Sequence, residues 1–336
     1  MNSVSRLSPK RALVTGATGA VGPALVALLL ERGYMVRVLV RGENGRFSPN
    51  VETIIGDITD PAAVQRAVAG CHLVFHLAAK LHLNPAEASA VEAEYERVNV
   101  SGTKNVVEAA EAADVERLIF FSTINVYGTT TQPQIFDESS APNPETIYAQ
   151  TKLTAENIAL SLCSPTGKPK TVILRLASVY GANMKGNYVQ ILRWVSKGLF
   201  IPVGQGQNRR TLIFDQDLAH AALLAAEHAQ APGQIYNVAD GQIHTFQKIL
   251  EAIYKALNRK KYRFTLPLWP LRTGLLLLEK TATLLGLHSP IAPFMLDKLT
   301  EDMAVCSQKI QRELGFIPQY NLLNGWQLTA KALNYL

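Results

Sequence analysis

The chain predicts an α/β fold: a doubly wound parallel sheet with a smaller, irregular C-terminal domain. Three observations point there. In the first half, short apolar runs alternate with helix-length amphipathic runs, as they must when helices cover both faces of a parallel sheet. A glycine-spaced turn, Gly16-Ala17-Thr18-Gly19-Ala20-Val21-Gly22, joins the first apolar run to the first helical one. Beyond Gly181 the alternation decays and prolines become frequent (Pro267, Pro270, Pro290, Pro293, Pro318), which suits loops and short helices more than sheet.

The first strand is expected over Arg11 to Thr15. A helix follows from about Val21 to Arg32, with Pro23 tolerated in its first turn and Gly33 placed to end it. Strands are expected over Met35 to Val40 and Asn50 to Ile55. Asp60 before Pro61 reads as an N-cap and a first-turn proline, opening a helix through Ala69 that Gly70 can terminate. Leu73 to Ala78 is the unbroken apolar run of a doubly buried strand. One long helix is expected from Ala88 to Ala113, a strand from Arg117 to Ser122, a helix from near Ile147, and a strand from Thr171 to Leu176. Residues 211–214, 218–228 and 235–238 then return two short strands and a helix to the main layer. The expected division is 9–181 with 211–240 in the sheet domain, and 182–210 with 241–336 in the second.

A length of 336 residues suggests two domains, or one α/β domain with a large appendage. Hydrophobic residues are 48% and charged residues 18%, with no repeat or low-complexity tract, so a compact globule is expected. Cys71, Cys163 and Cys306 form no pair and have no histidine at metal spacing, which predicts neither a disulfide framework nor a metal site. His72 and His76 could share one strand face, and two buried histidines explain them better than two ligands. The formal charge of +6 is not grouped with aromatics along the sequence, and Arg259-Lys260-Lys261 ends a helix where cations are favoured, so no nucleic-acid partner is expected. Met1 to Lys10 is polar, with no secretory leader expected, and a cytoplasmic protein is the outcome. The apolar stretch from Leu266 to Leu287 is broken by Arg272, Glu279 and Lys280; it reads as a buried or pocket-lining helix, with membrane-surface contact the lesser reading.

In a strand-turn-helix unit of this Rossmann kind, the first glycine (Gly16) permits the tight turn. The second (Gly19) lets backbone approach a diphosphate, and the third (Gly22) allows helix and strand to pack closely. Amides at the helix start then hold the diphosphate of a dinucleotide, with Thr18, Ala20 and Val21 lining the turn. After the second strand stands Arg41, with no carboxylate until Glu43. An arginine there accommodates the 2′-phosphate of NADP, so NADP is slightly preferred over NAD; as a solvated cation or adenine-stacking group, Arg41 would serve NAD equally. Asp57 and Ile58 are placed for the adenine, and Leu77, Ala78 and Ala79 for a ribose, although Gly-Asp-x-Thr-Asp is also ordinary turn chemistry.

Tyr148 and Lys152 are four apart in a helical pattern, so they share a face at about 5–6 Å between Cβ atoms. An ammonium beside a phenol favours the phenolate, which suits Tyr148 to exchange a proton with an alcohol while hydride moves between its carbon and the cofactor. Thr123, at the end of the strand carrying Phe120-Phe121-Ser122, presents a hydroxyl to the same cleft. The plainer alternatives are a solvated helix face and a hydroxyl that satisfies strand-end backbone.

These motifs, together with Asn99-Val100-Ser101-Gly102-Thr103, Ser122-Thr123-Ile124-Asn125-Val126-Tyr127-Gly128, Arg175-Leu176-Ala177-Ser178-Val179-Tyr180-Gly181 and Leu314-Gly315-Phe316-Ile317-Pro318, carry a resemblance. Over nearly its whole length the chain resembles the extended short-chain dehydrogenases/reductases of the sugar-nucleotide epimerase/dehydratase group. The resemblance implies catalytic Thr123, Tyr148 and Lys152, the latter two also touching NAD(P). It implies that Asn99 positions the active-site helix, that Lys80 follows the cofactor-contacting strand end, and that Ser178 and Arg210 meet the substrate, Arg210 as a diphosphate-binding arginine. It further implies a homodimer paired through the helices at 88–113 and 147–163.

Two departures narrow the function. Dehydratases of the group place Asp-Glu after the catalytic threonine, where this chain has Ile124-Asn125, so dehydration is disfavoured. Epimerases often have asparagine where Ser178 stands, and serine is more typical of steroid- and flavonol-type reductases. The expected activity is hydride transfer at a secondary alcohol, foremost C4 of a nucleotide-sugar. The alternatives are a 3β-hydroxysteroid or dihydroflavonol type dehydrogenase/reductase, and a catalytically silent NADP-sensing or scaffold protein.

Overall fold

The computed structural model describes residues 9–42, 47–81, 88–129, 134–260, 265–267, 270, 273 and 301–336. The sheet domain begins β1 (Arg11–Thr15), α1 (Gly22–Glu31), β2 (Met35–Val40), β3 (Val51–Ile55), α2 (Pro61–Val68) and β4 (Leu73–His76). It continues through α3 (Ala88–Tyr95), α4 (Gly102–Ala112), β5 (Arg117–Thr123), β6 (Ile135–Phe136), α5 (Ile147–Leu160) and β7 (Thr171–Leu176). The remainder is β8 (Ser178–Tyr180), α6 (Asn187–Ser196), β9 (Arg209–Arg210), β10 (Leu212–Phe214), α7 (Asp215–Glu227), β11 (Ile235–Val238), β12 (His244–Thr245), α8 (Phe246–Ala256), β13 (Ala304–Val305), α9 (Gln308–Leu314) and α10 (Leu322–Ala332).

Seven parallel strands form the central sheet in the order β11-β7-β5-β4-β1-β2-β3. Chain order reverses between β1 and β4, and a ligand crevice opens beyond the carboxyl ends of strands at such a switch. One face is buried under α1 and α7, where Leu25 and Leu29 join Leu218 and Ala222. The other is buried under α2, α4 and α5 through Val64, Val68, Val106, Ala110, Ala155 and Ala159. Alanine on these helices lets them lie close to the sheet. A third core, around Leu192, Ile249, Ile253 and Trp326, holds α6, α8 and α10 together in the second domain.

Local chemistry sets the helix starts. The Asp60 side chain accepts from Ala62 N at 3.0 Å and opens α2; Thr146 Oγ1 accepts from Ala149 N at 3.2 Å and opens α5.

Several expectations change. The helix expected from Ala88 to Ala113 is interrupted by a π-helical stretch, Glu96–Ser101, whose wider turn sets Asn99 inward. The strand expected to reach Ala78 ends at His76. Leu212–Phe214 does not join the main layer; it pairs with β8 in a separate two-stranded parallel sheet, whereas β11 does extend the seven-stranded one. His72 is exposed and accepts from Arg11 N at 3.1 Å, so only His76 of that pair is buried. The helix at Arg259-Lys260-Lys261 closes earlier, at Ala256, and Lys261 lies outside the described residues. Most of the apolar stretch after Leu266, with Pro290 and Pro293, also lies outside them, as does Glu43. Among the described residues, no helix is long and apolar enough to cross a membrane, and no group of three or more His, Cys, Asp or Glu could hold a metal ion.

Candidate active site

At the carboxyl end of β1, Gly16 takes φ +70°, and a Cβ there would lie 2.6 Å from Ala78 N. The glycine is therefore what lets the turn abut the chain leaving β4. Gly19 N donates to Gly16 O at 2.9 Å and closes the turn. A Cβ on Gly22 would fall 2.2 Å from Ala17 O, so the third glycine makes room for the turn's own backbone rather than for a strand beneath the helix. Val21, the N-cap of α1, gives the first-turn amides no side-chain bond, and no acidic residue lies in that turn. Those donors are left for an external anion, in contrast to the Asp60-capped start of α2. Thr18, Gly19 and Ala20 are partly exposed beside them, while Val21 is buried. The arrangement fits a dinucleotide diphosphate.

Arg41 stands exposed immediately after β2. Asp57 Oδ1 accepts from Thr59 N and Thr59 Oγ1, each at 2.9 Å, so this carboxylate also holds its own turn. Ile58 is buried; a Cβ on Gly102 would come within 2.7 Å of its Cδ1, and its carbonyl accepts from Asn105 Nδ2 at 2.9 Å. Leu77 and Ala78 are partly buried and Ala79 is exposed at the end of β4.

Beneath this edge runs a buried relay. Thr103 Oγ1 donates to Asn99 O at 2.6 Å, so His76 Nε2, 3.0 Å away, must donate to Thr103. His76 Nδ1 is then the acceptor for the Thr15 hydroxyl at 2.7 Å, and Thr15 Oγ1 in turn accepts from Ala78 N at 3.3 Å. Burial, with Lys152 nearby, pulls the His76 pKa down to about 3, which agrees with a neutral ring accepting at Nδ1.

Thr123 ends β5. Its Oγ1 accepts from Asn125 N at 3.2 Å, starting a 3-10 turn over Ile124–Tyr127, and the hydroxyl acts on the Tyr148 phenol, favouring its ionised form. Tyr148 is partly exposed by area yet ringed by protein atoms, with the Tyr95 ring 6.2 Å away. Lys152 is buried; its Nζ donates to Phe121 O at 2.7 Å and sits 4.0 Å from the Phe120 ring centroid. Thr123, Tyr148 and Lys152 thus come together at one strand end.

The charge relation between them differs from the expectation. Burial pushes the Tyr148 phenol above its ordinary value, the Thr123 hydroxyl opposes this, and Tyr95 adds to it. Lys152 is itself pulled down to about 7 by burial, against the pull of Glu156. Its ammonium is held by a backbone carbonyl and an aromatic face.

Several neighbours of this trio have no role assigned from the sequence. Glu156, one turn beyond Lys152, is buried and accepts from the Ser122 hydroxyl. Arg175 clasps the same carboxylate, Nη2 at 2.7 Å and Nε at 3.1 Å, and lies 4.9 Å from the Tyr127 ring. Tyr127 OH donates to Asn237 Oδ1 at 2.9 Å. The i,i+4 spacing of Lys152 and Glu156 was the available signal; nothing along the chain marks Tyr95.

Asn99 Nδ2 donates to Lys80 O at 3.2 Å and to Thr151 Oγ1 at 3.1 Å, and its Oδ1 accepts from Lys80 N at 2.8 Å. It fastens the chain leaving β4 to the helix that carries Tyr148. The Lys80 ammonium reaches Glu94 at 3.6 Å. Ser178 opens β8 and is partly exposed. Arg209 is locked to Asp302, Nη2 to Oδ2 at 2.6 Å, while Arg210 makes a looser pair with Glu301 at 3.8 Å and its charge acts on Tyr188.

The model of the NAD dependent epimerase/dehydratase family matches residues 12–239. The UDP-glucose 4-epimerase of Vibrio cholerae is 28% identical over 97% of this chain and 96% of that protein. The 3-beta-hydroxysteroid dehydrogenase of Mycolicibacterium neoaurum is 29% identical over 97% of this chain and 91% of its own length. The structure of the UDP-glucose 4-epimerase of Thermus thermophilus in complex with NAD matches with a TM-score of 0.74 at 25% identity, covering 96% of this chain and 99% of the other. With a parallel sheet wound about the glycine turn, and more than half of its residues inside the family match, the chain belongs to the NAD dependent epimerase/dehydratase family.

Proposed function

We propose that this enzyme transfers hydride between NAD(P) and a secondary alcohol, C4 of a nucleotide-linked sugar, with Tyr148 as acid/base. The observation that carries the proposal is the convergence of Thr123, Tyr148 and the buried Lys152 at the carboxyl end of β5, on the same sheet edge as the glycine turn that follows β1. When bound, the nicotinamide supplies the hydride acceptor or donor. Gly16, Gly19 and Gly22, with Thr18, Ala20 and Val21, would hold the diphosphate; Arg41, Asp57 and Ile58 the adenosine end; Leu77, Ala78 and Ala79 a ribose; Tyr148 and Lys152 the reacting end.

The buried phenol keeps its proton in the resting chain, so Tyr148 stands as an acid toward a carbonyl oxygen. To act as a base it needs positive charge near it, and Lys152, titrating at about 7, carries one in its protonated form. The Thr123 hydroxyl gives the substrate oxygen a second partner and fixes its direction. Asn99 and Glu156 hold α5 so that both groups face one point. On the substrate side, Ser178, Lys80 and Arg210 are the contacts proposed, and a guanidinium suits a diphosphate.

Tyr148→Phe tests the proposal. Turnover should fall by about 10²–10⁴-fold while cofactor binding persists. Full turnover in that variant would overturn the assignment, whereas cofactor binding without any turnover in the wild type would favour a silent sensor. Retained cofactor and no net absorbance change on turnover would mark epimerisation; release of reduced cofactor would mark a dehydrogenase. Arg41 supports NADP, whereas a neighbouring structure is an NAD complex, and a melting series with each nucleotide decides.

A second substrate class has its own support in Ser178 and in the similarity to a hydroxysteroid dehydrogenase. Stabilisation by uridine diphosphate favours the nucleotide-sugar, and stabilisation by sterol alone the other. A homodimer through α3, α4 and α5 is the proposed assembly, to be read by light scattering.

A further inference from the structure

The formal charge of +6 is unevenly held. Between Gly181 and Asp215, and again between Glu251 and Glu279, stand eleven Lys and Arg side chains and no Asp or Glu, so the rest of the sequence is net acidic. The two stretches lie far apart in sequence, which hides the segregation from any search for a single basic run.

Their described parts meet at the C-terminal end of α6. Trp194 is 50% exposed and Leu199 68% exposed, and they adjoin, with Leu199 N donating to Trp194 O at 2.9 Å. Arg193 and Lys197 are exposed beside them. Arg259 Nη2 donates to Ser196 O at 2.7 Å, bringing the chain after α8 and the exposed Lys260 to the same rim. Ile191, Leu192 and Val195 already supply the buried face of α6, so Trp194 and Leu199 are not needed for the core. Three residues past Leu199, Pro202 O accepts from Leu266 N at 2.9 Å, where the chain enters its leucine-rich stretch.

We propose that this end of α6 docks on an anionic lipid bilayer. Trp194 and Leu199 enter the headgroup region while Arg193, Lys197, Arg259 and Lys260 face lipid phosphates. An indole combines a large apolar body with one polar N–H, which suits that boundary. Cations without interspersed carboxylates are drawn to the negative surface potential of such a membrane. The occupant follows from this charge complementarity, set beside an exposed indole and an exposed leucine.

The test uses the full chain with vesicles of phosphatidylcholine alone, or of phosphatidylcholine with phosphatidylglycerol, read by co-sedimentation and tryptophan emission. The expected result is binding to the phosphatidylglycerol vesicles, weakened by salt, with a blue-shifted emission that Trp194→Phe removes. The double variant Arg193→Glu with Lys197→Glu should bind at least about tenfold more weakly, given about fivefold per cation lost near a membrane, with an unchanged melting temperature. No sedimentation with either vesicle would overturn the proposal. So would undiminished binding by the double variant, or a preference for single-stranded DNA over vesicles. Since no readout involves turnover, this outcome is separate from that of the catalytic assignment.

Discussion

Two buried charges give the protein opposite pH dependences. Asp215 carries its titration up to about 6, chiefly because burial disfavours the carboxylate, and its Oδ1 has no hydrogen-bond partner. The native state then holds more protons than the unfolded chain between about 4 and 6, so stability falls as pH rises through that window. Asp215→Asn removes the slope. Relative to wild type it should gain on the order of 3 kcal/mol between pH below 4 and pH above 6, measured by urea unfolding at each pH. Lys152 works the other way: with its native titration at about 7, the native state holds fewer protons than the unfolded chain from there to about 10.5, and stability rises with pH. Lys152→Met should unfold without that rise and should lose turnover; an unchanged slope would show that another group supplies it.

Among the elements, the β1–α1 turn and the π-helical stretch have the narrowest tolerance. Gly22→Ala would drive a methyl to 2.2 Å from Ala17 O, against backbone that cannot swing away as a side chain can. The turn must open, and reduced-nucleotide binding followed by fluorescence should weaken at least about tenfold, since the amides would no longer converge on one diphosphate. Asn99→Ala leaves the Lys80 amide and carbonyl and the Thr151 hydroxyl short of a partner, a cost of about 1–3 kcal/mol. Because Asn99 acts through α5, kcat should fall more than KM rises. An equal change in both would mean that it serves substrate binding instead.

The whole molecule is held by contacts between segments remote in sequence. Asp217 accepts from Gln319 N at 2.8 Å and Tyr320 N at 3.2 Å, tying the turn after α9 to the start of α7. Trp326, fully buried, stacks on Tyr180 at 4.7 Å and anchors α10. Trp326→Ala should cost about 3–5 kcal/mol in chemical denaturation, the usual range for emptying a buried aromatic site. Saturating cofactor should raise the melting temperature, since a ligand at a hundredfold its Kd adds about 2.7 kcal/mol, and a flat melting curve with both NAD and NADP would count against the glycine turn as its site.

The sequence by itself determined the parallel sheet and its glycine turn, and it put Thr123 at a strand end and Tyr148 and Lys152 on one helical face. Each is written in local spacing: apolar runs for buried strands, glycines where a Cβ has no room, and four residues for one helical face. Only the tertiary structure decided what surrounds them. That Lys152 spends its charge on the Phe121 carbonyl and the Phe120 ring, that Glu156 answers Arg175, and that Leu212–Phe214 leaves the main sheet for β8 all depend on partners brought close by folding. The physical reason is that spacing fixes which way a side chain faces, whereas its ionisation follows from burial and neighbouring charge, which belong to the folded chain.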